Sequence, residues 1–456
     1  MPVNQERSIW RRYFNRQSPS GTVLSSLLFY PSFRRYYSLL KQSQWWTSEQ
    51  LLEYQNEQLK KLITHAYANV PYYRRSFDTV GLQISDISSI HDLQQLPFLT
   101  KEQVRNNIEA LKSRNYPRNR FEPMATGGST GDPLPLYHEK GRTAARYFAF
   151  YRMMLERAQC RLMDRYLFLI QSKQFWKNQA FGRILVLSPY SLREKNSQIL
   201  FEKIKKINPH YIIGFPSSIS LLGHLFIKKK NDLFTNIRAI LCSGETLYEW
   251  QRSFLEKAFC CKVFSFYAQA EQVLFAATCE CSNSYHVFPE YGVMELIDED
   301  GKVITHEGQQ GEIVGTGFTN DIFPFIRYRT GDMGVYTSHL CPCGRRYPLL
   351  LKIEGRTQEF IMNKMGDKLP MTGMYGIIPN SSNLVKEYQF LQREPGELIL
   401  KIVRDNGFSD RDEHLIVQRL LKTLGPDFQI VVEYVQTVKR TPAGKIQFLV
   451  KCDSTY

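Results

Sequence analysis

The sequence predicts an α/β protein with a large multi-sheet N-terminal domain, entered through a helical lead-in, and a small α+β C-terminal domain. Three observations carry this. Short apolar runs alternate with amphipathic helix-length stretches between Tyr166 and Leu241, the pattern of parallel strands joined by crossovers. From Tyr285 to Val335 the chain becomes β-rich. Beyond Arg356 a strand–strand–helix–strand order of roughly 100 residues forms a unit of domain size. The expected division is residues 1–354, with the lead-in over 1–120, and a separate small domain over 355–456.

Trp45–Tyr67 places apolar residues at three-to-four spacing, with Ser48 and Glu49 near its start, and reads as a helix. Ile90–Leu111 reads as helical too, with Thr100 as N-cap and Gln103 as its capping-box partner. Strands are expected at Tyr166–Ile170, Ile184–Ser188, Tyr211–Ile213 and Ile237–Leu241, with helices between them at Asn196–Ile207 and Ser217–Lys228. Cys260 and Cys261 fall at what reads as a strand start. Gly292–Asp298 and Gly311–Gly317 are strands, the first followed by a turn at Glu299–Gly301. In the C-terminal part, Tyr388–Leu391 and Glu397–Val403 flank a Glu-Pro-Gly turn. Ser409 caps a helix bearing Ile416, Leu420 and Leu424, which Gly425 and Pro426 end, and Phe428–Val435 is a last strand.

A hydrophobic fraction of 43% over 456 residues supplies a sizeable core and argues against wholesale disorder. The longest apolar runs, such as Ile219–Ile227, fall short of the roughly 20 residues of a membrane span, and no leader opens the chain, so a cytoplasmic location is expected. The net charge, 59 − 44 = +15, favours anionic partners, phosphorylated cofactors among them. Part of it is local: Arg7, Arg11, Arg12 and Arg16 alternate with Trp10, Tyr13 and Phe14, the make-up of a basic arm for weak peripheral membrane contact. Nine cysteines in such a chain are not a disulfide framework.

The stretch Met124–Pro133 stands out. Thr126, Gly127, Gly128, Ser129, Thr130 and Gly131 cannot sit in a helix or strand without cost, because glycine loses the most backbone freedom on ordering. Such a run bends tightly and turns N–H groups and short hydroxyls toward one point, as a phosphate-binding loop must. No Lys-Ser or Lys-Thr follows Gly131, so it is not a Walker A loop. In the alternating region, the Gly214-Phe215-Pro216 and Ser243-Gly244-Glu245 segments follow expected strands, where α/β sheets bind ligands.

Together these marks resemble the adenylate-forming superfamily of acyl-CoA synthetases, luciferases and peptide-synthetase adenylation domains. Within it the chain looks most like the phenylacetate–CoA ligase branch and its members associated with capsular polysaccharide biosynthesis. The resemblance runs from His65-Ala-Tyr-Ala-Asn-Val-Pro-Tyr-Tyr73 to Lys445. It implies that Thr126–Gly131 holds the β- and γ-phosphates of ATP and that Ser243, Gly244 and Glu245 line adenine. In Tyr267-Ala-Gln-Ala-Glu271, Tyr267 lies near adenine and Glu271 helps hold Mg²⁺, a hard cation that takes carboxylate oxygens. Ala270 stands where the family has a threonine. Asp332, in Tyr328-Arg-Thr-Gly-Asp332, grips the ribose hydroxyls, and Arg356 is a ribose or phosphate contact at the hinge to a mobile lid, where Gln358 replaces a charged residue. Lys445 offsets the charge that gathers during adenylation, and the acid sits against Gly214, Phe215, Pro216, Ala268 and Gln269.

Cys279, Cys281, His286, Cys341 and Cys343 offer five soft or imidazole ligands, and structural zinc takes four. The resembled branch implies Cys281, His286, Cys341 and Cys343, with Cys279 as the alternative. The expected activity is ATP-dependent adenylation of a small carboxylic acid, aryl or acyl, followed by thioester formation with coenzyme A, with Thr126, Glu271 and Lys445 as the catalytic set. Rival readings pass the acyl group to an amine in surface-polysaccharide assembly, or keep a binding-only homologue. A zinc-bearing nucleic-acid binder is disfavoured, since the cysteine pairs lie ~60 residues apart without finger spacing.

Overall fold

The structure is a computed structural model that describes residues 30–451 apart from 127–133, 162, 171–175, 181, 193–195, 229–235, 357–359, 366–367, 372–373, 375–376, 426 and 441–445. The chain divides into two compact units, Met1–Met163 with Phe264–Ile353 and Asp164–Val263 with Glu354–Tyr456. The α/β class and the small α+β C-terminal portion are those the sequence predicts.

The first unit opens with the helices Pro31–Ser43, Ser48–Asn69 and Pro71–Thr79. Thr47 caps the second, and Gln50 completes its capping box. Across Ile90–Leu111 the chain forms a 3₁₀ turn, Ile90–Gln95, and a short helix, Lys101–Asn106, which starts after the expected N-cap Thr100. Pro97 separates them: it lacks an N–H and bars helical geometry at the residue before it. The Thr100–Gln103 box forms as expected, with bonds of 2.7 and 3.2 Å. Between the two pieces Leu99 pairs with the chain around Tyr328, donating to Arg327 O and accepting from Arg329 N–H, both at 3.0 Å.

Seven strands of this unit lie side by side in the order Gly292–Ile297, Gln310–Gly317, Tyr328–Thr337, Leu349–Arg356, Tyr285–Val287, Phe275–Ala277, Lys262–Ala268. Their core includes Leu59, Ile63, Leu93, Val104, Val273, Ile313 and Phe323, all nearly inaccessible to water. Phe121–Ala125 and Pro135–Glu139 form a separate antiparallel hairpin that closes on Ala125 opposite Pro135. Glycine lets one turn settle onto the sheet. A Cβ on Gly317 would lie 2.3 Å from Gln272 O, and one on Gly292 2.4 Å from Val273 O.

In the second unit the strands Ala239–Ser243, Tyr211–Gly214, Tyr166–Leu169 and Ile184–Leu187 are parallel neighbours, with Trp176–Gln179 antiparallel at the edge. The inner strands are almost wholly buried and read as continuous apolar runs. The polar edge strand Trp-Lys-Asn-Gln gave no such signal. Cys260 is not a strand start. It caps the helix Glu249–Phe259 in the left-handed region, at φ +50°, and the strand begins at Lys262. The C-terminal part is a four-stranded sheet, ordered Gln429–Tyr434, Glu397–Arg404, Val385–Gln392, Leu449–Lys451, under the helix Asp410–Leu424. Its core joins Phe390, Leu400, Ile402, Ile416 and Leu420. Ser409 caps the helix and Gly425, at φ +87°, ends it, as expected. Among the described residues no helix is long and apolar enough to cross a membrane.

Gly317→Ala is expected to destabilise the protein by about 1–3 kcal/mol, since a Cβ there must push the Gln272 carbonyl away. Denaturant melts that show a lower midpoint at constant slope are the check.

Candidate functional site

In the first unit the hairpin, the turn after Lys262–Ala268 and the strand Tyr328–Thr337 bring several predicted residues together. Thr126 closes the hairpin: its N–H donates to Leu134 O (3.0 Å), and its hydroxyl accepts from Leu134 N–H (2.9 Å). The loop between these two bonds carries Gly127, Gly128, Ser129, Thr130 and Gly131, which lie outside the described residues. His138, on the returning strand, then reaches the neighbouring turn. Its Nε2 donates to Ala270 O at 2.7 Å. Burial lowers the His138 pKa from 6.5 to about 4, so the ring is neutral and one nitrogen carries the proton this bond needs.

The turn itself is held on all sides. Gln269 Oε1 accepts from Leu274 N–H, Gln272 adopts φ +60°, and the Tyr291 hydroxyl donates to Gln272 Oε1 at 2.5 Å. Ala268 ends the preceding strand. Glu271 is thereby fixed, buried, with Oε1 accepting from the Tyr328 hydroxyl at 2.8 Å. Burial raises its pKa, while the Tyr328 hydroxyl and the Lys101 charge pull it back down. A desolvated carboxylate is a donor that fits Mg²⁺, which would hold it ionised. Tyr267 donates to Asp332 Oδ2 at 2.8 Å, and the Asp332 N–H donates to the Thr330 hydroxyl at 3.1 Å. Asp332 thus stands in a fixed rotamer, as a two-point grip on vicinal hydroxyls requires.

The second unit holds the other predicted set. Gly214 ends a strand opposite Leu169 and Cys242, and a Cβ there would meet Leu169 O at 2.5 Å. Phe215 is buried, and Pro216 opens the helix Pro216–Lys228. Gly214 is therefore also demanded by strand packing. Ser243 ends its strand, and Gly244, at φ +77°, turns the chain into Glu245. The Glu245 carboxylate accepts from Ser217 N–H (3.1 Å), Ser217 O–H (3.0 Å) and Ile446 N–H (3.2 Å). Arg356 ends the strand Leu349–Arg356; its side chain, Gln358 and Lys445 lie outside the described residues.

Cys279, His286, Cys341 and Cys343 place one ligand atom each within 4.8 Å of all the others. Cys279 Sγ is 3.5 Å from Cys341 Sγ, and Cys343 Sγ is 3.3 Å from His286 Nε2. Zinc–ligand bonds of about 2.0–2.3 Å in a tetrahedron demand such separations. Cys281, the first choice from sequence, is exposed and outside the cluster, and the alternative, Cys279, takes its place. The reason is local: Cys279 follows the buried strand Phe275–Ala277 that pairs with His286, whereas Cys281 turns outward two residues later with its N–H on Cys279 Sγ. Burial raises Cys341 to about 12 and also raises Cys279. At Cys343 burial acts the same way, but hydrogen bonds from Arg345 outweigh it and the pKa is lowered. Arg157 is buried against the Phe288 ring, with Nε and one terminal nitrogen unpartnered among the described residues. A net-anionic tris-thiolate zinc centre would balance that cation, so the donor set fits zinc.

Sequence reasoning missed His138, Lys101 and Arg157. For His138 a signal existed: it shares the buried alternation of Leu134 and Leu136, where a lone polar residue needs a partner.

Residues 361–452 match the family described as the CapK C-terminal domain. Protein CapK of Staphylococcus aureus is 24% identical over 88% of this chain and 89% of its own length. The phenylacetate–coenzyme A ligase of Thermus thermophilus is 26% identical over 77% of this chain and 80% of its own. The chain is a homologue of CapK and of the phenylacetate–coenzyme A ligases. Its fold is that of adenylate-forming coenzyme A ligases. A 2-hydroxyisobutyryl-CoA ligase in its postadenylation state superposes with a TM-score of 0.73 at 19% identity, over 90% of this chain and 91% of that one. The same ligase with its acyl-AMP and coenzyme A, in the thioesterification state, gives 0.60 over 89% and 91%.

His138 supplies a pH test of the site. Its folded pKa, about 4, lies below the unfolded 6.5, so the unfolded chain binds the proton more tightly. Its contribution is complete above pH 6.5 and is lost as the pH falls toward 4, about 3 kcal/mol in all. Urea melts across this window should show that loss in the wild type and a shallower one in His138→Leu.

Proposed function

We propose that the chain joins a carboxylic acid to coenzyme A through an acyl-adenylate. The homology to phenylacetate–coenzyme A ligases and the adenylate-forming fold support this. The observation that carries it is the bond from His138 to Ala270 O, which ties the closing hairpin of the phosphate loop to the turn bearing Glu271. A carboxylate oxygen of the acid attacks the α-phosphorus of ATP, the bond to the β-phosphate breaks, and pyrophosphate leaves. The Thr126–Gly131 loop holds the departing phosphates, and Asp332, aligned by Tyr267, holds the ribose. Mg²⁺ bound at Glu271 would neutralise phosphate charge. Lys445 steadies the negative charge of the transition state. The thiol sulfur of coenzyme A then attacks the acyl carbon and AMP departs with the electron pair. The Gly214–Pro216 segment is one candidate for receiving the acid, and Ala268 with Gln269 is another. The basic balance of the chain suits the phosphates of both nucleotides.

Ala270 has no hydroxyl to offer the α-phosphate, so the loop, the cation and Lys445 carry that charge. Zinc in the Cys279–His286–Cys341–Cys343 cluster is structural, because four protein ligands leave no open position. The mobile lid is the C-terminal part beyond residue 355.

Hydroxamate trapping across a panel of acids, with and without coenzyme A, tests the activity; product that never depends on an acid overturns it. Lys445→Ala should lower acid-dependent ATP–pyrophosphate exchange by roughly 10²–10³ while sparing ATP binding. Zinc content separates the two cysteines: Cys279→Ser should lose the metal and the thermal stability it confers, whereas Cys281→Ser should keep both.

A further inference from the structure

Residues 441–445 of the lysine motif lie outside the described residues, and the chain on either side of them pairs. Arg440 bridges Ile446 in antiparallel register, and Gln389 grips both strands, donating to Lys439 O (3.1 Å) and Gln447 O (2.6 Å). Arg440 is also paired with the buried Glu387. Gln389 and Glu387 belong to the C-terminal sheet, so these bonds hold Lys439, Arg440 and Gln447 to their own module. The bond at Ile446 points elsewhere. Its N–H, one residue after Lys445, donates to the Glu245 carboxylate, which also accepts the N–H and O–H of Ser217.

We propose that Glu245 is a positioning residue that registers the backbone at Ile446, next to Lys445, for the adenylation half-reaction. The family resemblance gives this element to adenine through its backbone; the carboxylate itself is engaged with Ser217 and Ile446. It links the start of the helix that follows Gly214-Phe215-Pro216 to the backbone beside Lys445. A charge-assisted bond on a backbone N–H fixes the chain where an amide-to-amide contact between lobes would be weaker. It is also reversible: if the C-terminal module swings away for the thiol step, the Ile446 bond breaks, while Ser217 keeps the carboxylate aligned for return. Glu245 thus favours the adenylating arrangement over the thioester-forming one. This assignment rests on the proposed role of Lys445.

Two measurements on the full-length protein test it. The first needs no activity: deuterium uptake by a peptide containing the Ile446 amide should rise roughly tenfold or more in Glu245→Ala and less in Glu245→Gln, which keeps one acceptor oxygen. Unchanged uptake overturns the latch whether or not any acid is adenylated. The second compares the half-reactions. Glu245→Ala should lower the kcat of ATP–pyrophosphate exchange at least about tenfold more than it lowers thioester formation from a supplied acyl-adenylate. The KM for ATP should move far less, and Glu245→Gln should restore part of the rate. Equal losses in both half-reactions make Glu245 merely structural and overturn the proposal. A wild type without exchange on every acid overturns the adenylation reading, and the latch is then decided by uptake alone.

Discussion

One hydrogen bond organises the first unit: the neutral imidazole of His138 donating to the carbonyl of Ala270. It joins a hairpin that closes around a glycine-rich loop to a turn that presents a buried carboxylate. The bond requires a proton on Nε2, and burial keeps the ring neutral by lowering the pKa more than the bond to Ala270 raises it. It also requires a turn that does not drift. Gly292 and Gly317 admit that turn against the sheet, where any side chain would collide with backbone oxygen. The base of the hairpin and the Glu271 turn are thus placed by packing on one side and a single donor on the other.

A repeated device then sets the carboxylates. Tyrosine hydroxyls donate to both Glu271 and Asp332 at 2.8 Å, which helps to hold each acid in one rotamer. A phenol orients the group and leaves its charge in place. The Lys101 charge lowers the Glu271 pKa, and Lys101 follows closely on Leu99, which pairs with the chain at Tyr328.

Much of this was legible in the sequence where chemistry is local. The inner parallel strands announce themselves as apolar runs, and the Thr100–Gln103 and Ser409 caps form as written. Pro97, which lacks an N–H, keeps the Ile90–Gln95 turn apart from the helix that Thr100 caps. Spacing alone could not separate Cys279 from Cys281, because two thiols two residues apart differ only in which one the strand buries. His138, Lys101 and Arg157 escaped for a related reason: their partners are more than 100 residues away in sequence, and no period or motif encodes that proximity.

The central claim is that hairpin and turn form one site for the phosphates beyond the α position. Calorimetric titration of the wild type and His138→Leu with Mg²⁺–ATP and with AMP tests it most directly. The account predicts that the substitution weakens ATP by roughly tenfold or more and AMP far less, because AMP lacks the β- and γ-phosphates that the loop holds. An equal loss for both nucleotides, or no loss for either, would contradict it.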